Sequence, residues 1–229
     1  MKTHIAPEQL HEMEPFYPLH AYVCSECFLV QLQEFVSPQD IFGEYAYFSS
    51  YSTSWVEHAR RYVEMATGRF RLDSSSRVVE IASNDGYLLQ HFTARKIPVL
   101  GVEPAGNVAA AALNRGIPTE IAFFGRATAE RIAADHGQAD LLIGNNVLAH
   151  VPDLNDFVAG LKHLLASDGV ITMEFPHLQR LMAENQFDTI YHEHFSYFSF
   201  VCVEQVFARH GLPLFDVEQL PTHGGSLRI

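Results

Sequence analysis

The chain has 229 residues, 48% of them hydrophobic, and a formal net charge of −12. That length and apolar content suit one large domain, or one domain with a small appendage. The acidic balance argues against nucleic acid and anionic membranes, both of which need a basic footprint.

No apolar run approaches the roughly 20 residues that span a bilayer, and the start M-K-T-H-I-A-P-E-Q has no apolar core of a signal peptide. Three cysteines do not make a disulfide framework, so a reducing cytoplasm is the expected compartment.

In chain order, residues 1–36 read as a proline-bearing N-terminal appendage with a short strand-like stretch at Cys24–Gln33. Within it Cys24-Ser25-Glu26-Cys27 is a C-x2-C pair. Zinc needs four ligands, so Cys24 and Cys27 are half a metal site, which His11 or His20 would have to help complete. Residues 37–74 read as helical with an aromatic entry, and Val56, Ala59, Tyr62, Val63 and Ala66 follow the 3.6-residue period. The stripe Tyr45, Tyr47, Ser49, Ser50, Tyr51, Ser52 and Trp55 is polar-tipped and suits a polyhydroxylated ligand as well as a core.

From residue 75 to 229 strands and helices alternate. Strands are expected at Val78–Ile81, Val99–Val102, Ala139–Ile143, Val170–Glu174, Pro213–Glu218 and Ser226–Ile229. Helices are expected at Leu88–Arg95, Val108–Arg115, Ala127–His136, Leu154–Leu165 and Val203–His210, with Gly116, Gly169 and Gly211 as left-handed caps after three of them. This alternation predicts an α/β, doubly wound sheet, with ligands beyond the strand C-termini. A strand at the last residue suggests a fragment of a longer protein.

The run V-V-E-I-A-S-N-D-G at Val78–Gly86, followed by V-L-G-V-E-P at Val99–Pro104, is strand, small-residue turn, helix, strand and acid. Such a turn lets the backbone approach a nucleoside, and Glu103 can accept from both ribose hydroxyls. The turn has neither a dinucleotide nor a triphosphate glycine pattern, which leaves a nucleoside without phosphates, S-adenosylmethionine being the commonest. Glu80, Ala82, Ser83, Asn84, Gly86 and Glu103 are the candidates, joined by Asn145 and Asn146 beyond the third main strand, with His150 over the same crevice.

The densest constellation is Tyr191, His192, Glu193, His194 and Tyr197. Its H-E-H spacing does not match a helical H-E-x-x-H zinc site, although an extended H-x-H can still bind metal. Acid–base work is the better reading, with a neighbouring glutamate tuning a histidine. Arg60, Arg61, Arg126, Arg180 and Arg228 are available to anionic groups.

Taken together, C-S-E-C-F-L-V-Q-L, Y-A-Y-F-S-S-Y-S-T-S-W-V-E-H-A, V-V-E-I-A-S-N-D-G-Y-L-L, G-V-E-P-A-G-N-V-A, G-N-N-V-L-A-H-V-P-D-L, E-F-P-H-L, Y-H-E-H-F-S-Y-F-S and T-H-G-G-S-L-R resemble one family. It is the S-adenosylmethionine-dependent sugar C-methyltransferases acting on nucleotide-linked 4-keto-deoxyhexoses, and the resemblance covers nearly the whole chain. It implies a class I, Rossmann-like methyltransferase core with seven strands, the last antiparallel. It implies methyl transfer to C3 of the sugar through an enolate, with His194 as base and Tyr45, His150, Tyr191 and Glu193 in the pocket. Pro104 and Asn107, in G-V-E-P-A-G-N, join the cofactor set.

Two departures stand out. The family's second, upstream cysteine pair is absent, which leaves the structural zinc half-formed, and the family's second α/β domain does not follow. The chain therefore reads as truncated at both ends. Rival readings are a methyltransferase with an oxygen or nitrogen acceptor, a cofactor-binding core without full activity, and a distant NAD-dependent oxidoreductase.

Overall fold

The computed structural model describes residues 5–229. The first four residues of the appendage lie outside the described residues.

The strands and helices follow from local pattern, and their order sets the sheet. In chain order the strands are β1 (Ala21–Val23), β2 (Val30–Leu32), β3 (Val78–Ile81), β4 (Val99–Val102), β5 (Thr119–Glu120), β6 (Ala139–Asn145), β7 (Leu165–Pro176), β8 (Ser196–Tyr197), β9 (Glu218–Leu220) and β10 (Ser226–Arg228). The helices are α1 (Pro38–Phe42), α2 (Thr53–Arg69), α3 (Leu89–Thr93), α4 (Gly106–Asn114), α5 (Arg126–His136), α6 (Leu154–Leu164), α7 (Leu178–Ala183) and α8 (Phe200–Arg209).

Seven strands form the main sheet in the order β5-β4-β3-β6-β7-β10-β9. The first five are parallel, and β10 inserts antiparallel between β7 and β9. This is the expected α/β sheet with its last strand antiparallel.

Side chains alternate across the sheet with the strand period of two. Val79, Ile81, Leu142, Met173 and Phe175 pack with α5, α6 and α8. Val78, Leu141 and Ile143 pack with α2, α3 and α4. The two apolar layers cover both faces, as a parallel sheet requires.

The predicted amphipathic stripe is real: Ala59, Tyr62, Val63 and Ala66 are buried on α2. The Ser52 hydroxyl starts α2 by accepting from the Trp55 N–H, Asp153 starts α6, and Ser199 starts α8. The Ser199 cap sets the beginning of α8 at Phe200, ahead of the expected Val203.

Three expectations are corrected. The stretch expected as one strand at Cys24–Gln33 is a hairpin, with the C-x2-C pair in its turn and Phe28 left-handed at φ 59°. The strand expected at Pro213–Glu218 lies at Glu218–Leu220 instead; Pro213 has no N–H to give a ladder. Gly116 and Gly211 are left-handed caps, but Gly169 is not. A Cβ on Gly169 would lie 2.8 Å from the Ala139 carbonyl oxygen, so that glycine serves close strand approach.

A second sheet, β1-β2-β8, joins the N-terminal hairpin to the histidine-rich segment. Val30 pairs with Tyr197 and Gln31 with Ser196. No helix among the described residues is long and apolar enough to cross a membrane.

Candidate active site

A cavity of about 500 Å³ opens beyond the C-terminal ends of β3, β4, β6 and β7. Its volume falls in the range of small-molecule sites. Ala82, Asn84, Glu103, Pro104, Asn145, Asn146, Tyr45, His150, Tyr191 and His194 all line it.

The turn after β3 forms the cavity floor. Ala82 (φ 56°) and Asn84 (φ 49°) are left-handed, as is Gly86 (φ 78°). At Ala82 this costs about 1–2 kcal/mol, strain of the kind that collects at ligand sites, whereas asparagine tolerates the region better. Glu103 fixes the turn: its two carboxylate oxygens each accept a backbone N–H, from Asn84 and from Ala105, both at 2.9 Å. Burial raises the Glu103 carboxyl, and these two bonds pull it back. Both oxygens retain a lone pair for further donors.

Four predicted cofactor residues do not line the cavity. Glu80 lies behind the turn, fully buried, with neither oxygen closing a hydrogen bond. Burial, then Glu103 and Asp85, pushes its carboxyl well above the usual range, while the Tyr87 hydroxyl tempers that rise. Ser83 is also fully buried. Gly86 packs beneath, where a Cβ would stand 3.0 Å from Ile117. Asn107 grips the backbone of Tyr45 instead: its Oδ1 accepts from the Tyr45 N–H (3.0 Å) and its Nδ2 donates to the Tyr45 carbonyl (2.7 Å).

Residues 45–50 thus form a strap bolted to the turn. Asn84 accepts from the Ser49 N–H (2.8 Å) and donates to the Tyr47 carbonyl (3.1 Å). Asp85 accepts from the Ser50 hydroxyl and pairs with Arg115 at 3.1 Å. Of the aromatic and hydroxyl stripe, Tyr45, Tyr47, Ser49 and Trp55 reach the cavity. Tyr51 is exposed, and Ser52 is spent as a helix cap.

The loop after β6 supplies the opposite edge. Asn146 is left-handed at φ 53°, its N–H donates to the Glu174 carbonyl (2.7 Å), and its buried Oδ1 has no partner among the described residues. An orphaned acceptor at a cavity wall is a place for a ligand's donor.

The histidines are held in defined tautomers. His194 Nδ1–H donates to the Thr189 carbonyl (3.0 Å), so in the neutral ring Nε2 carries the lone pair, and the Tyr191 hydroxyl sits 2.9 Å from it. His150 Nδ1–H donates likewise to the Glu193 carbonyl (2.8 Å). The two rings meet edge to face at 4.7 Å.

Burial, then the neighbouring His150, pushes His194 down to about 3, and burial lowers His150. Tyr191 is pushed up to about 12 by burial and then by Glu193, so it stays a phenol. Burial and Glu193 also raise Tyr45. The segment is clamped from both sides, by β2 and by the Phe195 N–H on the Ala149 carbonyl (2.7 Å).

His192 turns the other way, bonding the Pro18 carbonyl and packing against Tyr17 and Phe35. The H-x-H pair therefore does not converge on one metal. No group of three or more metal-ligating side chains exists among the described residues. Cys24 and Cys27 share the hairpin turn, where the backbone N–H groups of Cys27 and Glu26 favour the Cys24 thiolate. His20 packs on Tyr22. Two thiols alone do not fit a four-coordinate zinc.

The five arginines are all in ion pairs: Arg60 and Arg61 with Glu57, Arg126 with Glu130, Arg180 with Glu184, and Arg228 with Glu174 and Glu218.

Sequence reasoning gave no role to His223, Tyr87 or Phe42. His223 and Tyr87 stood inside quoted motifs, and the paired glycines after His223 were the available signal.

Comparison with known proteins adds the following. A family model described as "Methyltransferase domain" matches residues 55–217. One described as "Putative zinc binding domain" matches residues 2–42. The C-methyltransferase NovU of Streptomyces niveus is 41% identical over 216 residues, covering 94% of this chain and 51% of NovU, so the chain spans about half of that relative.

Among solved structures, magnesium protoporphyrin IX methyltransferase of Synechocystis, with bound SAH, superposes with a TM-score of 0.57 at 15% identity. The match covers 76% of this chain and 80% of that one. The cyclopropane synthase MmaA2 of Mycobacterium tuberculosis gives a TM-score of 0.57 at 17% identity, over 71% and 64%. These likenesses show the fold.

Proposed function

This chain belongs to the methyltransferase domain family and has the class I fold, and on that premise we propose that it is an S-adenosylmethionine-dependent enzyme that methylates C3 of a nucleotide-linked 4-keto-deoxy sugar. One observation carries the reading: the His194 Nε2 lone pair, its tautomer fixed by Thr189, shares a cavity with Tyr191, Tyr45 and the cofactor turn. The likeness to NovU supports a carbon acceptor.

Glu103 accepts from the ribose hydroxyls, the strained turn Ala82–Gly86 lets the nucleoside approach the backbone, and Asn146 Oδ1 accepts from the amino-acid end. S-adenosylmethionine, when bound, supplies an electrophilic methyl, which the carbon nucleophile takes up.

The protein's own task is to make that nucleophile. A C–H bond beside a ketone must break before the carbon can act. His194 Nε2 takes the C3 proton, and the bonding pair moves onto the ketone oxygen. The ring is neutral at ordinary pH, so its lone pair is available. Negative charge growing beside it favours the protonated imidazole and raises its basicity as the proton moves.

The Tyr45 hydroxyl donates to the developing enolate oxygen; the Tyr191 hydroxyl donates to His194 Nε2 and gives up that bond when the substrate C–H takes its place. The His150 Nε2, which carries no hydrogen in the neutral ring, accepts from a sugar hydroxyl. Glu193 orients His150 through its carbonyl. In this reading residues 1–36 form an appendage that clamps the histidine segment, 37–74 the substrate-side wall and 75–229 the cofactor core.

The test is methyl transfer to a nucleoside-diphosphate-linked 4-keto-6-deoxyhexose deuterated at C3. Methylation at that carbon must release the deuterium, and His194→Ala must abolish it. Product that keeps the deuterium would place the methyl elsewhere, on C5, oxygen or nitrogen, and sink the proposal.

A further inference from the structure

The turn Thr222–Gly225 brings a third imidazole to the cavity. His223 has φ 51° and ψ 41°, a left-handed backbone that few residues with a Cβ adopt, Asn, Asp and His being the commonest of them. Gly224 and Gly225 follow at φ 75° and 118°.

The turn is firmly rooted. The Gly225 N–H (2.8 Å) and the Ser226 hydroxyl (3.0 Å) both donate to the Thr222 carbonyl. The Thr222 hydroxyl donates to Glu174 Oε1 at 2.9 Å. Glu174 is wholly buried, and burial opposes its charge, but His58 (2.9 Å) and Arg228 (2.8 Å) hold it ionised. The His223 ring meets the Trp55 ring edge-on at 4.8 Å, and Trp55 stacks in turn on His58 and Tyr87.

Strain and a rigid root place this ring, yet neither of its nitrogens bonds a described residue. It lines the cavity beside Thr189, Tyr191 and His194. It is close enough to His194 that charge on one opposes charge on the other.

Of the three cavity imidazoles, His194 and His150 each spend their N–H on a carbonyl. His223 alone keeps an unspent N–H; the residue is exposed at the cavity edge, and partial desolvation there shifts the ring downward, towards its neutral form. The Tyr191 hydroxyl is engaged with His194. Tyr45 is the phenol left to donate to an oxygen next to the reacting carbon, and His223 offers a second donor in the same cavity.

We propose that His223 contacts the substrate, its imidazole N–H donating to the ketone oxygen on which charge develops as His194 removes the neighbouring proton. This rests on the C3 reading above. The Glu174–Thr222 bond is its positioning device.

The experiment isolates proton removal. The chain, saturated with S-adenosylhomocysteine, is given a thymidine-diphosphate-linked 4-keto-6-deoxyhexose deuterated at C3, and wash-out into solvent is followed by NMR. The parent washes out and His194→Ala does not. His223→Ala slows wash-out about 100-fold, the loss expected for one donor at a developing oxyanion. S-adenosylhomocysteine affinity by calorimetry and the melting temperature stay at parental values. His223→Asn, which tolerates the left-handed backbone and keeps a donor, recovers part of the rate.

Wash-out by His223→Ala at the parental rate overturns the inference and leaves the C3 reading intact. A slowing matched by lost cofactor binding or lost melting in both His223 variants assigns the residue a structural role and also overturns it. A parent that binds S-adenosylhomocysteine but does not wash out removes the C3 reading, and the assignment of His223 with it.

Discussion

Protonation of His194 makes the stability of the whole fold depend on pH, and the size of the effect follows from its burial. In the unfolded chain the imidazole titrates near 6.5, while in the fold burial, then His150, pushes it down to about 3. Between those values only the unfolded state binds the proton. Stability is therefore flat above neutrality and falls as the pH drops through 6.5 towards 3.

At about pH 5.5 this one ring costs about 1.4 kcal/mol of folding free energy relative to about pH 7.5. The figure is set by the unfolded pKa and barely changes while the folded value stays below about 4.5. The ring is 8% exposed, so solvent screening takes little from it.

His194→Gln retains an amide for Tyr191 and Thr189 and does not titrate. Urea unfolding of both proteins at the two pH values isolates the contribution, since His150 and every other group are common to both. The parent should lose about 1.4 kcal/mol more than the variant on acidification. An equal loss in the two would mean that His194 is protonated as easily inside the fold as outside, and the picture of a buried neutral base would fall.

Two further outcomes are expected. Glu103→Ala removes the acceptor for the ribose and releases the Asn84 and Ala105 N–H groups; hydrogen bonds to a charged group are worth about 1.5–3 kcal/mol, so S-adenosylhomocysteine should bind at least about 10-fold more weakly by calorimetry, and unchanged affinity would misplace the nucleoside. Asn107→Ala deletes both bonds to Tyr45 while Asn84 still holds the strap, so amide exchange should speed up at Tyr45 by about 10-fold or more with global melting nearly constant; protection unchanged at Tyr45 would show that the clamp is idle.

Whatever depended on neighbours in sequence was legible before the structure. Val78–Ile81 and Val99–Val102 are short apolar runs ended by small or polar residues, and both strands stand where expected. The α2 stripe and the acid at Glu103 are equally local. Periodicity and capping act over a few residues, and they were enough to set the α/β class and place the cofactor turn.

Other features joined residues far apart. Asn107 and Tyr45 are 62 positions apart, and Asn84 and Ser49 are 35. An asparagine in a polar turn reads as a ligand contact because nothing nearby in sequence shows the backbone it will grip. The N-terminal hairpin meets β8 across about 165 residues by ladder bonds that side-chain pattern does not encode. His223 reaches the cavity only because β10 inserts between β7 and β9.

The sequence by itself determined most of the strands and helices of the main sheet, the sheet class and the chemistry-bearing side chains, since these follow from local sterics and hydrophobic period. The tertiary structure decided which of those side chains face one another and which are spent holding the strap. It also decided which imidazole keeps a free N–H, because hydrogen-bond partners are assigned by packing across the chain.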